Sequence, residues 1–309
     1  MKGRFLAVLA AAALFVLGAI PAQAEGGGNG DHGNGGEGDN TYLALGDSVP
    51  FGYRPFPKLF PEVDNFTGYP EIVAQRLHLK DVNATCPGEA TGGFLSWTGT
   101  DNGCHSYRLA FPLHVGYAPP QTQMEFALAY LRSHHNTRLV TLTLGANDVF
   151  VLFNSHPECA VSPLPPSCIP LVGLVLQTIF VNLSTIFAEL RSTGYTGLIV
   201  GVTYYATNYN DTSGTELLNS TMVGAATAPA IGGLIASGLE AWRDTATDSP
   251  ANGSSCLAGL LIRLSTHPAK CDVHPTAKGR NLLAGAVIQT IAASCPAHNA
   301  EKCLEGERD

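Results

Sequence analysis

Charge is scarce in this 309-residue chain: Asp, Glu, Lys and Arg make up 14% of it, and 17 Lys and Arg face 25 Asp and Glu. The formal charge of −8 carries no basic footprint for nucleic acid, and an acidic surface disfavours anionic polymers as partners. Tryptophan occurs only at Trp97 and Trp242, which argues against a sugar-stacking surface. No two cysteines have the C-x-x-C spacing of a metal site or redox motif. A phosphate loop, a dinucleotide fingerprint on a strand-to-helix turn, a carboxylate-rich metal cluster and internal repeats are all missing, so neither cofactor nor metal is expected.

What is present begins with a sorting signal. Lys2 and Arg4 precede an apolar run from Phe5 to Ile20, and Pro21-Ala22-Gln23-Ala24 has the small-x-small pattern that signal peptidase reads. An uncleaved anchor is the competing reading, but the run is short for a span of about 20 residues. Residues 1–24 are read as a signal peptide cleaved near Ala24, which predicts a secreted protein with no stable membrane anchor. Losing Lys2 and Arg4 takes the formal charge from −8 to −10. Residues 25–40 are half glycine and carry no large apolar side chain, the composition of a flexible leader in which His32 is solvated. Residues 41–309 remain as a single domain with a generous core, expected to be a monomer.

Eight cysteines lie beyond the signal, and an even number in an exported chain reads as disulfides. Connectivity does not follow from sequence. Sequential pairing (Cys86–Cys104, Cys159–Cys168, Cys256–Cys271, Cys295–Cys303) gives short loops and is the expected scheme.

Hydrophobic patterning alternates strands and helices. Strands are predicted at 41–45, 81–84, 139–144 and 198–203, and helices at 68–79, 121–135, 171–192, 215–242 and from near Pro275 towards Ala293. Such alternation implies βαβ units and a parallel sheet, an α/β fold. The apolar helix at 171–192 could be mistaken for a membrane span. Gln177, Asn182, Ser184 and Glu189 interrupt it, so it is read as a core helix. Glycine-bearing loops at Gly46, Gly88 and Gly145 each follow a predicted strand and converge on the carboxyl edge of the sheet, where such sheets place their sites.

Candidate chemistry gathers at that edge. Ser48 lies in Leu45-Gly46-Asp47-Ser48-Val49, and its hydroxyl is a weak nucleophile without a base. Gly-Asp-Ser alone builds many ordinary turns. Three further segments change its weight: Gly88 in Asn83-Ala84-Thr85-Cys86-Pro87-Gly88-Glu89, Asn147 in Gly145-Ala146-Asn147-Asp148, and His274 in Cys271-Asp272-Val273-His274-Pro275-Thr276. In this order, over residues 41 to about 293, the four blocks resemble the SGNH hydrolases, the GDSL esterase/lipase superfamily, and especially its secreted, disulfide-bearing bacterial members.

The resemblance implies a flavodoxin-like three-layer α/β/α sandwich around a central parallel sheet. It also implies a serine carboxylic ester hydrolase, an esterase or lipase acting on small-molecule, lipid or polymer esters. Ser48 would be the nucleophile and His274 the base. The oxyanion hole would comprise the Ser48 and Gly88 backbone N–H groups and the Asn147 amide.

One position departs from the family pattern. The usual Asp three residues before the histidine is Cys271 here, and Asp272 stands only two residues away. On a helical turn, residues i and i+3 share a face and i and i+2 do not. A backbone carbonyl is therefore favoured to orient His274, with Asp272 as the alternative third member. Asp47 and Asp148 are expected to brace their turns.

His134 and His135 suit a helix end. His105, His114, His156 and His267 sit in no motif and are read as loop or core residues. The Pro- and Cys-rich stretch 157–170, with Val149 to Phe153 beside it, is either a wall for an acyl chain or a loop that covers the core. Two other functions stay open: a carbohydrate acetylesterase using the same site, and a non-catalytic binding protein on the same fold, which the shifted Asp would suit.

Overall fold

A computed structural model of the protein describes residues 40–295 and 299–305. The signal segment and the leader up to residue 39 lie outside the described residues. The first strand, β1 (Thr41–Gly46), is buried throughout, and its alternation sends Tyr42 and Ala44 into one core and Leu43 and Leu45 into another. A strand apolar on both faces needs cover on both, which is the environment of a parallel sheet.

The chain continues through α1 (Ser48–Phe51), α2 (Tyr69–Arg76), β2 (Lys80–Asn83), α3 (Thr91–Leu95), α4 (Cys104–Ala110), α5 (Gln123–Ser133) and β3 (Thr137–Thr143). Then come α6 (Ala146–Ser155), α7 (Ile169–Ser192), β4 (Leu198–Val202), α8 (Ser213–Ala226), β5 (Leu234–Ala236) and α9 (Gly238–Thr247). An antiparallel hairpin, β6 (Leu261–Thr266) and β7 (Ala269–Pro275), precedes α10 (Ala277–Ala293) and α11 (Ala300–Glu305).

The five-stranded sheet has the order β2-β1-β3-β4-β5, with every neighbouring pair parallel. Helices α2, α9 and α10 cover one face, through Val73, Trp242, Leu283 and Val287. Helices α5, α7 and α8 cover the other, through Met124, Ile186 and Met222. The architecture is a three-layer α/β/α sandwich with flavodoxin-like strand order, and the order reverses between β1 and β3.

Two segments differ from their predicted form. The helix expected over 215–242 is broken into α8, β5 and α9. Pro229 and Gly232, the latter at φ +59°, stop the helical run, and a three-residue strand is too short to announce its period. The last helix, expected from near Pro275 towards Ala293, runs Ala277–Ala293. Thr276 caps it by accepting from Gly279 N–H, while Asp272 to Pro275 close β7.

Helix α7 is a core helix over its C-terminal half alone, where Ile179, Leu183, Ile186, Phe187 and Leu190 are buried. Only 22% of its most apolar 18-residue window is buried, and Leu174 and Val181 are 63% and 52% exposed. By length and composition it is the one helix among the described residues that could cross a membrane.

The structure pairs Cys86 with Cys104, Cys159 with Cys168, Cys256 with Cys271 and Cys295 with Cys303. Four such bonds imply an oxidising environment.

Candidate active site

The Ser48 turn starts from a glycine that cannot be replaced. Gly46 has φ +131°, and a Cβ there would lie 2.0 Å from the Thr143 carbonyl oxygen. That close approach lets Asp47 N–H bond to Thr143 O at 3.1 Å, so β1 turns directly into α1. Asp47 caps α1 by accepting from Val49 N–H at 2.9 Å, and Ser48 opens the helix with its side chain in a cleft.

His274 reaches this serine from the far end of the chain, its Nε2 lying 2.8 Å from Ser48 Oγ. Its Nδ1 is hydrogen-bonded to Asp272 Oδ1, which also accepts from the His274 backbone N–H at 3.0 Å. The structure thus brings Asp272, rather than a backbone carbonyl, to the imidazole. Residues 269–275 form a strand, not a helical turn, and in a strand i and i+2 point to the same side. Burial pushes the Asp272 carboxyl upward, but the His274 hydrogen bond and charge outweigh it and hold the group below its ordinary value. Three further contacts fix the loop: Tyr205 Oη donates to Val273 O at 2.6 Å, the Tyr53 ring lies 4.8 Å from the imidazole, and Cys271 is tied to Cys256.

The candidate oxyanion donors line the same cleft: Ser48, Gly88 and Asn147. Gly88 sits at φ +85°, and a Cβ there would come within 2.7 Å of Asn102 O. Asn147 is 4% exposed and its orientation is locked from both ends. Asn102 Nδ2 donates to Asn147 Oδ1 at 2.8 Å, and Asn147 Nδ2 donates one hydrogen to Glu89 O at 2.9 Å. An amide carries two hydrogens, and the Glu89 carbonyl takes one of them.

Buried polar ties hold the three blocks in register. Tyr204 Oη donates to Asp47 Oδ2 at 2.5 Å and accepts from Ala146 N–H at 3.1 Å, so one phenol joins the serine turn to the asparagine turn. Burial raises the Asp47 carboxyl to about 6, and the Tyr204 and Val49 hydrogen bonds oppose the rise. Gln123 clamps Gly46, accepting from its N–H at 2.6 Å and donating to its carbonyl at 3.1 Å, and also reaches Glu89 Oε2 at 3.2 Å. Burial pushes the Glu89 carboxyl well up. Asp148 takes both donors of Thr91, N–H at 2.9 Å and Oγ1 at 2.6 Å, and is not part of the cleft lining.

Tyr204, Asn102 and Gln123 had no place in the sequence motifs. Asn102 lies within a loop whose Asp101, Asn102 and Gly103 read as turn chemistry, and nothing there points across 45 residues to Asn147.

The remaining candidates fall outside the cleft lining. His105 stacks on Trp97 at 4.2 Å, His114 contacts Phe51 O at 3.1 Å, His134 stacks on Tyr130 at 3.9 Å, His156 is half-buried beside Glu158, and His135 and His267 are exposed. Glu89, Asp101 and His105 bring ligand-type atoms within 4.8 Å of one another. The backbone N–H groups of Gly103, Cys104 and His105 already satisfy both Asp101 oxygens.

The cleft has a volume of about 850 Å³. One wall is apolar, from Val149, Phe150 and Phe153 on α6, Leu164 in the Pro-rich loop, and Val172 and Leu176 on α7. Stretch 157–170 therefore contributes to the cleft.

No protein-family model and no curated protein sequence matches the chain. Among solved structures it is similar to the phospholipase A1 of Streptomyces albidoflavus NA297, with a TM-score of 0.51 and 18% identity over 82% of this chain and 99% of that one. It is also similar to LAE5, an α/β hydrolase enzyme from the metagenome of Lake Arreo, Spain (TM-score 0.47, 16% identity, 86% and 96% covered). A third is Axe2, an acetylxylan esterase from Geobacillus stearothermophilus (TM-score 0.46, 14% identity, 83% and 95% covered). At these identities the likeness shows the fold alone.

Proposed function

We propose that the chain is a secreted serine carboxylic ester hydrolase of the SGNH/GDSL type, an esterase or lipase that works through an acyl-enzyme on Ser48. One observation carries the reading: His274 Nε2 lies 2.8 Å from Ser48 Oγ while Nδ1 is bonded to a carboxylate. That is the arrangement a general base needs, with tautomer and ring orientation set by the acid behind it.

In the first half-reaction Ser48 Oγ attacks the ester carbonyl carbon and its proton passes to Nε2. The tetrahedral oxyanion is held by the Ser48 and Gly88 N–H groups and the other amide hydrogen of Asn147. Collapse breaks the ester C–O bond, and Nε2 returns its proton to the departing alkoxide. Water then repeats the sequence on the acyl-enzyme and releases the carboxylic acid. Asp272 stays ionised and stabilises the imidazolium that forms in each half. The shifted Asp no longer favours a non-catalytic role, because Asp272 is hydrogen-bonded to His274 Nδ1.

The apolar wall and the volume of about 850 Å³ support a lipid or other long acyl chain over an acetyl group. Trp242 is fully buried against Tyr205, which leaves it no part in a sugar-binding platform. The signal pattern ending near Ala24, with the four disulfides, supports export as a single domain.

A fluorophosphonate probe tests the nucleophile: Ser48 should label and Ser48→Ala should not. No labelling, or labelling that survives the substitution, defeats the assignment. On p-nitrophenyl esters of increasing length, turnover should rise beyond acetyl. A sharp preference for acetyl would favour the acetylesterase reading instead.

A further inference from the structure

The apolar character of the cleft does not stop at its mouth. Phe150, Val161 and Leu217 line it and are themselves exposed, so its lip presents apolar side chains to solvent. Ile169 and Phe180 extend that lip along α7, on the stripe of Val172 and Leu176, and Leu174 and Val181 carry it over the helix's outer surface. Apolar side chains gathered in one exposed patch are unfavourable in water, and such patches mark a docking face.

Charge identifies what docks. The cleft lining contains no Lys or Arg, and Asp47 and Asp211 are its only acidic side chains. In α7 the first charged residue is Glu189, near the C-terminal end, and α8 carries Glu216 alone. Nothing on this face would attract anionic headgroups, and the chain's net charge of −8 would repel them. We propose that the cleft lip and the outer face of α7 dock on an uncharged or zwitterionic lipid surface, placing the mouth directly against aggregated ester. This deepens the ester-hydrolase reading and rests on it for the nature of the substrate.

The docking step is separable from chemistry. Ser48→Ala protein should co-float with phosphatidylcholine vesicles, and adding phosphatidylglycerol should weaken the association. Leu174→Gln with Val181→Gln places good helix formers at two exposed positions outside the cleft. Removing two apolar contacts of this size should lower the vesicle partition constant about tenfold or more. Hydrolysis of emulsified long-chain ester should fall with it, while turnover of a soluble short-chain ester stays unchanged.

The proposal is overturned if the protein does not float, if the double variant floats equally well, or if the protein sediments as a dimer that the double variant dissociates. Soluble-ester turnover without flotation would refute the docking and leave the hydrolase reading standing. Flotation without any ester turnover would do the reverse.

Discussion

Replacing Tyr204 with Phe removes one oxygen and cuts two buried bonds, to the Asp47 carboxylate at 2.5 Å and from Ala146 N–H at 3.1 Å. The Ala146 contact is lost at every pH. The Asp47 contact is not constant, because Asp47 titrates at about 6 in the folded protein against an ordinary 3.8. An acid with a raised folded value favours the protonated state on folding, so stability falls as pH rises from about 4 through about 6. At pH 5 the phenol mostly meets a neutral carboxyl, a bond of about 1 kcal/mol, and at pH 8 it meets a carboxylate, where about 1.5–3 kcal/mol is at stake. Without the donor, burial is less opposed, the Asp47 value climbs further, and the ionisation penalty grows. Urea midpoints should therefore show Tyr204→Phe destabilised by about 1–2 kcal/mol more at pH 8 than at pH 5. Because the same oxygen ties the Ser48 turn to the Asn147 turn, kcat on a soluble ester should fall about ten- to a hundredfold, with KM nearly unchanged. Equal destabilisation at the two pH values together with an intact kcat would refute the reasoning.

Asp272→Asn should lower kcat on the order of 10³-fold, since the amide cannot stabilise an imidazolium. Its folded value is depressed, so its stabilising contribution is present above the ordinary 3.8 and lost as pH falls through the lower folded value. Urea unfolding should accordingly separate Asp272→Asn from the parent near pH 6 and bring the two together as pH falls through that lower folded value. Asn102→Ala frees the Asn147 amide to turn over, and steady-state kinetics should show kcat reduced about tenfold, less than the roughly 10²- to 10³-fold expected of Asn147→Ala. Paired Cys256→Ser and Cys271→Ser substitutions open a loop of 15 residues, worth about 3 kcal/mol in thermal unfolding, and should also reduce kcat by loosening the segment that carries His274.

The sheet was legible because its strands are periodic and short-range. Leu139 to Leu144 could hardly be anything else, and the strand found there runs Thr137–Thr143. The turns that carry Ser48, Gly88 and Asn147 could be placed for the same reason, since each follows a strand and a parallel sheet sends all carboxyl ends to one edge. The i, i+2 spacing of Asp272 and His274 parts them on a helical turn and aligns them on a strand, and only the fold says which applies. The hairpin β6–β7 has polar, exposed strands, with Leu264, Ser265 and Thr266 in solvent, so no alternation announced it. Tyr204, Asn102 and Gln123 were invisible for a different reason. Their partners lie 157, 45 and 77 residues away, and a hydrogen bond across that distance leaves no local pattern. The position of α7 is legible from its hydropathy and its exposed half is not, because hydropathy reports that side chains are apolar and not what they touch.

The cross-links have a consequence for biosynthesis. Each cysteine finds its partner within 18, 9, 15 or 8 residues, and no loop encloses another pair. As the chain emerges, every thiol meets its mate before a third competitor arrives, so nearest-neighbour oxidation is also native oxidation. Short loops close at small entropic cost, and four independent closures need no reshuffling among distant partners. Maturation of this chain should depend on an oxidant far more than on an isomerase.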